Sequence, residues 1–146
     1  GNPSSFCDSP RNKPDHLIEA LADRGGIIGC TLYPLFIGGN TVTRLDWCRM
    51  VADTAEKIGV NHVAIGSDSV VGWASDALGW MRNGRWDRPK EIENIPTFPT
   101  WPEWFKGPED FESLSEGLSE VGFIPEEIVS IMGSNWIRLF KDVFND

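Results

Sequence analysis

Two short, nearly continuous apolar runs constrain the fold of this chain more than any other feature. They cover residues 26–33 and 61–68, and residues 43–58 between them have the apolar spacing of a helix. Short apolar runs without polar alternation are typical of strands buried on both faces. The order strand, helix, strand predicts a parallel pair joined by a right-handed crossover, which places the chain in the α/β class.

Two such strands do not make a sheet that can stand alone. Sheets of buried parallel strands occur almost only within larger doubly wound or barrel folds. The remaining elements predicted from the sequence are helices over residues 14–24, 108–121 and 125–132 and a last helix that restarts at 133–135, while residues 35–40 are predicted to be a loop. We therefore expect this chain to be part of a larger fold whose remainder is absent or forms a separate chain.

Composition limits the classes of function. The chain has 146 residues, of which 40% are hydrophobic and 24% charged, as in one ordinary globular domain. Its net charge of -9 and scattered basic residues argue against a nucleic-acid partner. Its three cysteines form no C-x-x-C motif, which favours a reducing, cytoplasmic location over a disulfide framework or a structural zinc site. No run approaches the ~20 apolar residues of a membrane-spanning helix.

Asp68 is the first candidate for a catalytic residue. It is the last residue of the second run, where Gly66 and Ser67 follow the apolar residues. In α/β folds the reacting groups lie at the carboxyl ends of the strands, which is where this arrangement places the Asp68 carboxylate. Aspartate is also a common turn and cap residue, so the alternative is that Asp68 only shapes the turn after the strand.

Residues 70–107 form a long insertion without sustained helical or strand periodicity. The insertion contains five of the seven tryptophans, namely Trp73, Trp80, Trp86, Trp101 and Trp104. Long irregular segments within a domain are often lids or pocket walls, so this segment is a candidate lid. The alternative is a structural flap whose tryptophans pack on the body of the domain.

Several short motifs occur in an order that is typical of one family. They are Cys7-Asp8-Ser9-Pro10-Arg11-Asn12, Arg24-Gly25-Gly26-Ile27-Ile28, Ile65-Gly66-Ser67-Asp68 and Met132-Gly133-Ser134-Asn135-Trp136-Ile137-Arg138. With these motifs the chain resembles the C-terminal part of the membrane dipeptidase (renal dipeptidase) family of zinc peptidases. The resemblance implies a (β/α)₈ TIM-like barrel, incomplete as given. Residues 1–146 would be the C-terminal portion of a single metal-dependent hydrolase domain, with the last two strands and their flanking helices.

The resemblance also implies roles for three residues. Asp68 corresponds to the acid after the last barrel strand that transfers protons at the metal centre. Arg11 corresponds to the arginine that binds the terminal carboxylate of the substrate, an anion that suits the guanidinium fork. Tyr33 is expected with Arg11 among the substrate-binding residues. The alternative for Arg11 is a surface ion pair with Asp8 or Asp15.

Zinc is the cofactor that the resemblance implies, with two ions expected and their ligands mostly outside this chain. One family histidine ligand lies seven residues before the cysteine matched by Cys7, which would be immediately before Gly1. His16 in a first helical turn and His62 at a strand entry are expected to be surface or structural residues, so no metal ligand is assigned here. The expected partners are the N-terminal portion of the same barrel and a small dipeptide, and a homodimer is left open.

Two functions from different classes agree with these patterns. The first is a zinc-dependent dipeptidase-like hydrolase that cleaves the amide bond of a small dipeptide with a metal-activated water. Its active centre would be completed by residues outside this chain, so the fragment alone would be inactive. The second is a catalytically inactive barrel homologue that binds a small ligand. Histidines and acids upstream of Gly1 would favour the enzyme, and their replacement would favour the binding protein.

Overall fold

The computed structural model describes residues 1–71 and 98–144. The predicted insertion lies mostly at residues 72–97, outside the described residues, so its interpretation as a lid stays a prediction. In chain order the elements are α1 (Asp15–Ala22), β1 (Ile28–Cys30), α2 (Pro34–Ile37), α3 (Arg44–Ile58), β2 (Val63–Ile65), α4 (Phe111–Glu120), α5 (Pro125–Val129) and α6 (Asn135–Phe144). Single 3₁₀ turns cover Val60–His62 and Pro108–Asp110, and a π-helical turn covers Ser130–Ser134.

The two strands pair in parallel, as predicted, with Ile28 opposite Val63 and Cys30 opposite Ile65. Both are shorter than the apolar runs that predicted them. The second run begins late because Gly59, with φ 87°, turns the chain into the 3₁₀ segment before β2. After β1 ends at Cys30, the Thr31 carbonyl accepts a hydrogen bond from the indole of Trp47 at 2.9 Å.

Helix α3 covers one face of this sheet. The Thr43 hydroxyl accepts a hydrogen bond from the Asp46 backbone N–H at 3.1 Å, so Thr43 is the N-cap of α3. The buried face of α3 packs on the strands, and α4 and the π-helical turn complete the same core, whose fully buried side chains include Trp47, Val51, Val63, Leu114, Leu118 and Ile131. This layer of helices over parallel strands positions the carboxyl ends of β1 and β2 at one edge of the molecule.

Two sequence-based predictions of local structure are wrong. Residues 34–37 form the short helix α2 rather than a loop, because Pro34 at the first helical position already has the required φ and Gly38 ends the helix at φ 93°. The last helix does not restart at Gly133, since α5, the π-helical turn and α6 follow one another without a break. The Asn135 amide donates 2.8 Å bonds to the carbonyls of Val60 and Val63, which holds the continuous helix against β2.

The other face of the sheet lies against Trp136 at the start of α6. Its indole N–H donates to the Ile65 carbonyl at 2.8 Å. Its ring packs so closely on Gly29 that a Cβ there would lie 2.9 Å from Cζ2 of Trp136. Apolar side chains of α1 and α6 remain exposed in this part of the molecule, namely Leu17, Leu21, Ile137, Phe140 and Val143. Within residues 1–71 and 98–144, no helix has the length and apolar character needed to cross a bilayer.

Candidate active site

A cleft of about 330 Å³ lies at the carboxyl ends of β1 and β2. Its lining includes Arg11, Lys13, Thr31, Phe36, Gly66 and Asp68. The cleft therefore brings together two of the three predicted site residues, Arg11 and Asp68, although 57 positions separate them in the sequence. It combines two cationic side chains with one carboxylate, which suits a small zwitterionic or anionic ligand.

A larger groove of about 650 Å³ lies between the N-terminal loop and α3. None of the predicted site residues lines it. Several of its charged side chains neutralise one another or a neighbour, since Arg49 pairs with Asp46 at 3.2 Å and Lys57 pairs with Asp15 at 2.6 Å. We place the candidate site in the smaller cleft because it lies at the strand ends and contains cations without such pairing among the described residues.

Asp68 presents a free carboxylate at the edge of this cleft. The residue is exposed, and no hydrogen bond or salt bridge within residues 1–71 and 98–144 uses its side-chain oxygens. Its backbone adopts the left-handed conformation with φ 60°, alone among the described non-glycine residues. Aspartate is among the residues that tolerate this conformation, so the backbone at Asp68 is compatible with the turn-forming alternative. No helix starts at residues 69–71, so the capping alternative is not observed there.

The approach of the two strands just before Asp68 depends on paired glycines. A Cβ on Gly66 would lie 3.2 Å from the Cα of Gly29, tighter than ordinary van der Waals contact. The Gly66 N–H donates to the Cys30 carbonyl at 2.9 Å, and the Leu32 N–H donates to the Ser67 carbonyl at 3.3 Å. Backbone hydrogen bonds between the two segments thus continue beyond β1 and β2 as far as Ser67. They fix the position of the backbone directly before Asp68.

Arg11 reaches the cleft from the loop before α1. Its Cζ lies 5.9 Å from the centre of the Phe36 ring, within the range of a cation–π contact. Arg11 forms no salt bridge with any residue in the described parts of the chain, and Asp15 pairs instead with Lys57. The surface ion pair with Asp8 or Asp15 is therefore not observed, and the guanidinium is free to bind an anion.

Tyr33 lies beside the cleft rather than among its lining residues. Its ring centre is 5.1 Å from that of Phe36 and 5.8 Å from that of Trp101, in an edge-on arrangement with the indole. The backbone N–H of Tyr33 donates to the Thr31 hydroxyl oxygen at 3.1 Å. The residue thus supports the side of the cleft through Phe36, and its direct contact with substrate stays a prediction.

The described residues do not fit a zinc site by themselves. Within residues 1–71 and 98–144, no group of three or more His, Cys, Asp or Glu side chains is placed to hold a metal. Nδ1 of His62 lies 2.8 Å from the Gly26 carbonyl oxygen, so this histidine is used structurally. Burial raises the pKa of the Cys30 and Cys48 thiols to about 12, so both thiols are protonated near neutral pH.

Comparison with known sequences identifies the family. A sequence model described as membrane dipeptidase (peptidase family M19) matches residues 1–81, more than half of the chain. The chain belongs to the membrane dipeptidase family. The matched range contains all three predicted site residues of this membrane dipeptidase family member, and it includes both strands.

Individual relatives of this family member are considerably longer. Dipeptidase aclJ of Aspergillus oryzae is 25% identical over 142 residues, which cover 95% of this chain and 28% of the relative. Dipeptidase 3 of Homo sapiens is 27% identical over 139 residues, which cover 95% of this chain and 23% of the relative. This chain thus spans about a quarter of the length of these curated relatives.

A solved structure has the same arrangement of elements. The crystal structure of an amidohydrolase from Pseudomonas aeruginosa superposes with a TM-score of 0.82 and is 27% identical. The superposition covers 99% of this membrane dipeptidase family chain and 44% of the amidohydrolase chain. The mixed helix and strand fold predicted from the sequence therefore recurs within a larger hydrolase.

Some residues that build the cleft of this membrane dipeptidase family member were missed in the sequence. Phe36, which contacts Arg11, lies in the segment predicted to be a loop. Asn2 and Asn12 are buried residues whose side-chain amides both donate to the Phe36 carbonyl in α2. Asparagines beside a proline-rich loop predict side-chain hydrogen bonds to neighbouring backbone groups in a turn. They do not predict bonds to residues far along the chain, such as Phe36.

Proposed function

We propose that this chain is the C-terminal part of a (β/α)₈ barrel that hydrolyses the amide bond of small dipeptides in a zinc-dependent reaction. The observation that carries the proposal is the meeting of Arg11 and Asp68 in one cleft at the carboxyl ends of two parallel strands. In barrels of this type that end of the strands carries the active site. Membership of the membrane dipeptidase family and the names of the relatives support the same reaction.

Arg11 binds the terminal carboxylate of the dipeptide in this proposal. The guanidinium has five N–H donors and lies in the cleft without an ion pair among the described residues. A planar fork can donate two parallel hydrogen bonds to one carboxylate, which fixes the orientation of the substrate as well as its position. Tyr33 extends this wall of the cleft and contacts the side chain next to that carboxylate.

Asp68 moves the proton. Its exposed carboxylate can accept a proton from the attacking water at one Oδ atom and deliver it to the nitrogen of the leaving amine. The carboxylate is not engaged by any donor in the described residues, so it is available for both transfers. Its backbone is left-handed just after the sheet ends, and the residue lines the cleft.

Zinc, when bound, would polarise the scissile carbonyl and activate the water. The described residues contain no group of three or more metal-binding side chains, and we propose that the zinc ligands lie mostly outside this chain. The same N-terminal portion of the barrel would cover the free edge of β1 and the apolar side chains of α1. Within residues 1–71 and 98–144 the sheet has only two strands, too few for independent stability without such cover.

The test uses the full-length protein with its N-terminal barrel segment. We expect purified protein to contain zinc and to release free amino acids from unblocked dipeptides, and chelation followed by zinc readdition should abolish and restore this activity. Blocking the terminal carboxylate of the dipeptide should raise the KM. If zinc is absent and dipeptides bind without being hydrolysed, the protein is instead the ligand-binding homologue.

A further inference from the structure

The position of Arg11 needs an explanation because its own loop has no regular structure. Residues 4–12 contain neither helix nor strand, and the Arg11 side chain is exposed. An exposed arginine samples many rotamers, and each immobilised side chain of this kind lowers affinity. Yet the guanidinium carbon lies 5.9 Å from the centre of the Phe36 ring, across the entrance of the cleft.

Asn12 ties the Arg11 loop to the backbone of α2. The side chain is 5% exposed. Its amide group donates to the carbonyl of Cys7 at 2.8 Å and to the carbonyl of Phe36 at 2.9 Å, and its Oδ1 accepts from the Asn2 N–H at 2.9 Å. These three bonds join Asn12 to the N-terminal loop and to α2. The backbone next to Arg11 therefore has a fixed position relative to Phe36.

Asn2 connects the N-terminal loop to the end of β1 and to α2. This residue is completely buried. Its amide group donates to the Thr31 carbonyl at 3.1 Å and to the Phe36 carbonyl at 3.2 Å, while its Oδ1 accepts from the Thr31 N–H at 2.9 Å. Two buried asparagine amides therefore converge on one carbonyl, that of Phe36.

We propose that Phe36 is a positioning residue that orients the Arg11 guanidinium for the substrate carboxylate, and that Asn2 and Asn12 hold Phe36 in place for this purpose. The inference rests on the carboxylate-binding role of Arg11 in the proposed function. The ring face attracts the cation and restricts its motion, while the fork remains open toward the cleft. Preorganisation of this kind increases affinity without adding a contact to the substrate.

The discriminating variant is Phe36→Leu, because it removes the ring and leaves the backbone carbonyl that both asparagines bind. The inference predicts a KM for dipeptides about two- to fivefold higher, the range of an exposed cation–π contact, with kcat nearly unchanged. Phe123→Leu is the matched control, since that ring packs against the core beside Ala52 and Val60, outside the aromatic contacts of Phe36, and should not alter the KM. Melting temperatures of both variants measure any general loss of stability.

A double-mutant cycle with Arg11→Ala separates positioning from structure. The full-length protein, Phe36→Leu, Arg11→Ala and the double variant are compared for KM and kcat on one dipeptide. We expect the Phe36→Leu effect on the KM to disappear when Arg11 is absent. An effect of equal size in both backgrounds, or an unchanged KM in Phe36→Leu, overturns the inference alone. An unchanged KM in Arg11→Ala overturns the proposed role of Arg11 and this inference with it.

Asn12→Ala tests the second part of the proposal. Loss of its bonds should release the loop and raise the KM for dipeptides about five- to tenfold, while kcat falls less. The effect should again be smaller in the Arg11→Ala background. If the KM is unchanged and kcat falls only in proportion to the loss of folded protein, Asn12 has a purely structural role and this part is wrong.

Discussion

Replacing Asp68 with asparagine keeps the size of the side chain and removes its ability to accept a proton. The stability of the folded state should change little, because the carboxylate is exposed and makes no hydrogen bond in the described structure. Asparagine also tolerates the left-handed backbone at φ 60°, so we expect the free energy of unfolding to change by less than about 0.5 kcal/mol. Asp68→Ala should lose about 1 kcal/mol through backbone strain, since alanine lacks this tolerance.

Activity should respond quite differently. General acid–base groups contribute about 10²- to 10⁴-fold, so kcat of Asp68→Asn should fall by that factor, or roughly 3 to 5 kcal/mol in activation free energy, with a smaller change in KM. The measurements are kcat and KM on a dipeptide, zinc content, and melting temperature of the full-length protein. Normal kcat would falsify the proton-transfer role. Loss of activity together with loss of zinc would make Asp68 a support of the metal site instead.

Four further changes test other parts of the structure. Arg11→Lys should weaken dipeptide binding by about 1 to 3 kcal/mol, seen as a higher KM with a smaller change in kcat. The reason is that the lysine ammonium is a point charge and cannot donate two parallel hydrogen bonds as the guanidinium does. Unchanged kinetics would contradict this. Gly29→Ala should lower the free energy of unfolding by about 1 to 3 kcal/mol, because its methyl group would lie 2.9 Å from the Trp136 ring. A loss of the same size in a Trp136→Leu background would show that the clash is not the cause. Cys30, whose pKa burial raises to about 12, should resist iodoacetamide at pH 8 while half-buried Cys7 is alkylated, as measured by peptide mass spectrometry. Residues 1–146 alone should aggregate because apolar side chains of α1 and α6 are exposed, and cooperative unfolding of a monomeric chain would refute that expectation.

The parallel strand pair could be predicted because its signal is local. Each apolar run is continuous, and the helix between them has regular apolar spacing and begins directly after Thr43. The family resemblance, confirmed by the match over residues 1–81, placed Arg11 and Asp68 in one site. Composition or periodicity alone would not have joined an arginine in an irregular loop to an aspartate that follows it after five helices and strands.

The missed features depend on contacts that exist only in the folded chain. Helix α2 has four residues, too few to show a periodic pattern. The segment before Asn135 has the composition of a helix break, but bonds to carbonyls more than 70 positions earlier in the chain hold it helical. The buried amides of Asn2 and Asn12 likewise bond to partners that become neighbours only after the strand and α2 have formed.

The π-helical turn at Ser130–Ser134 gives the C-terminal segment a tolerance of one residue in length. Such a turn holds one residue more than an α-helical turn of nearly the same rotation and rise. Deleting a single residue there, such as Gly133, would leave an ordinary α-helix and change the direction of the residues after it only slightly. Asn135 would still face the carbonyls of Val60 and Val63, and the indole of Trp136 would still reach the Ile65 carbonyl. The same deletion within α6 would instead rotate the residues after it by about 100° around the helix axis.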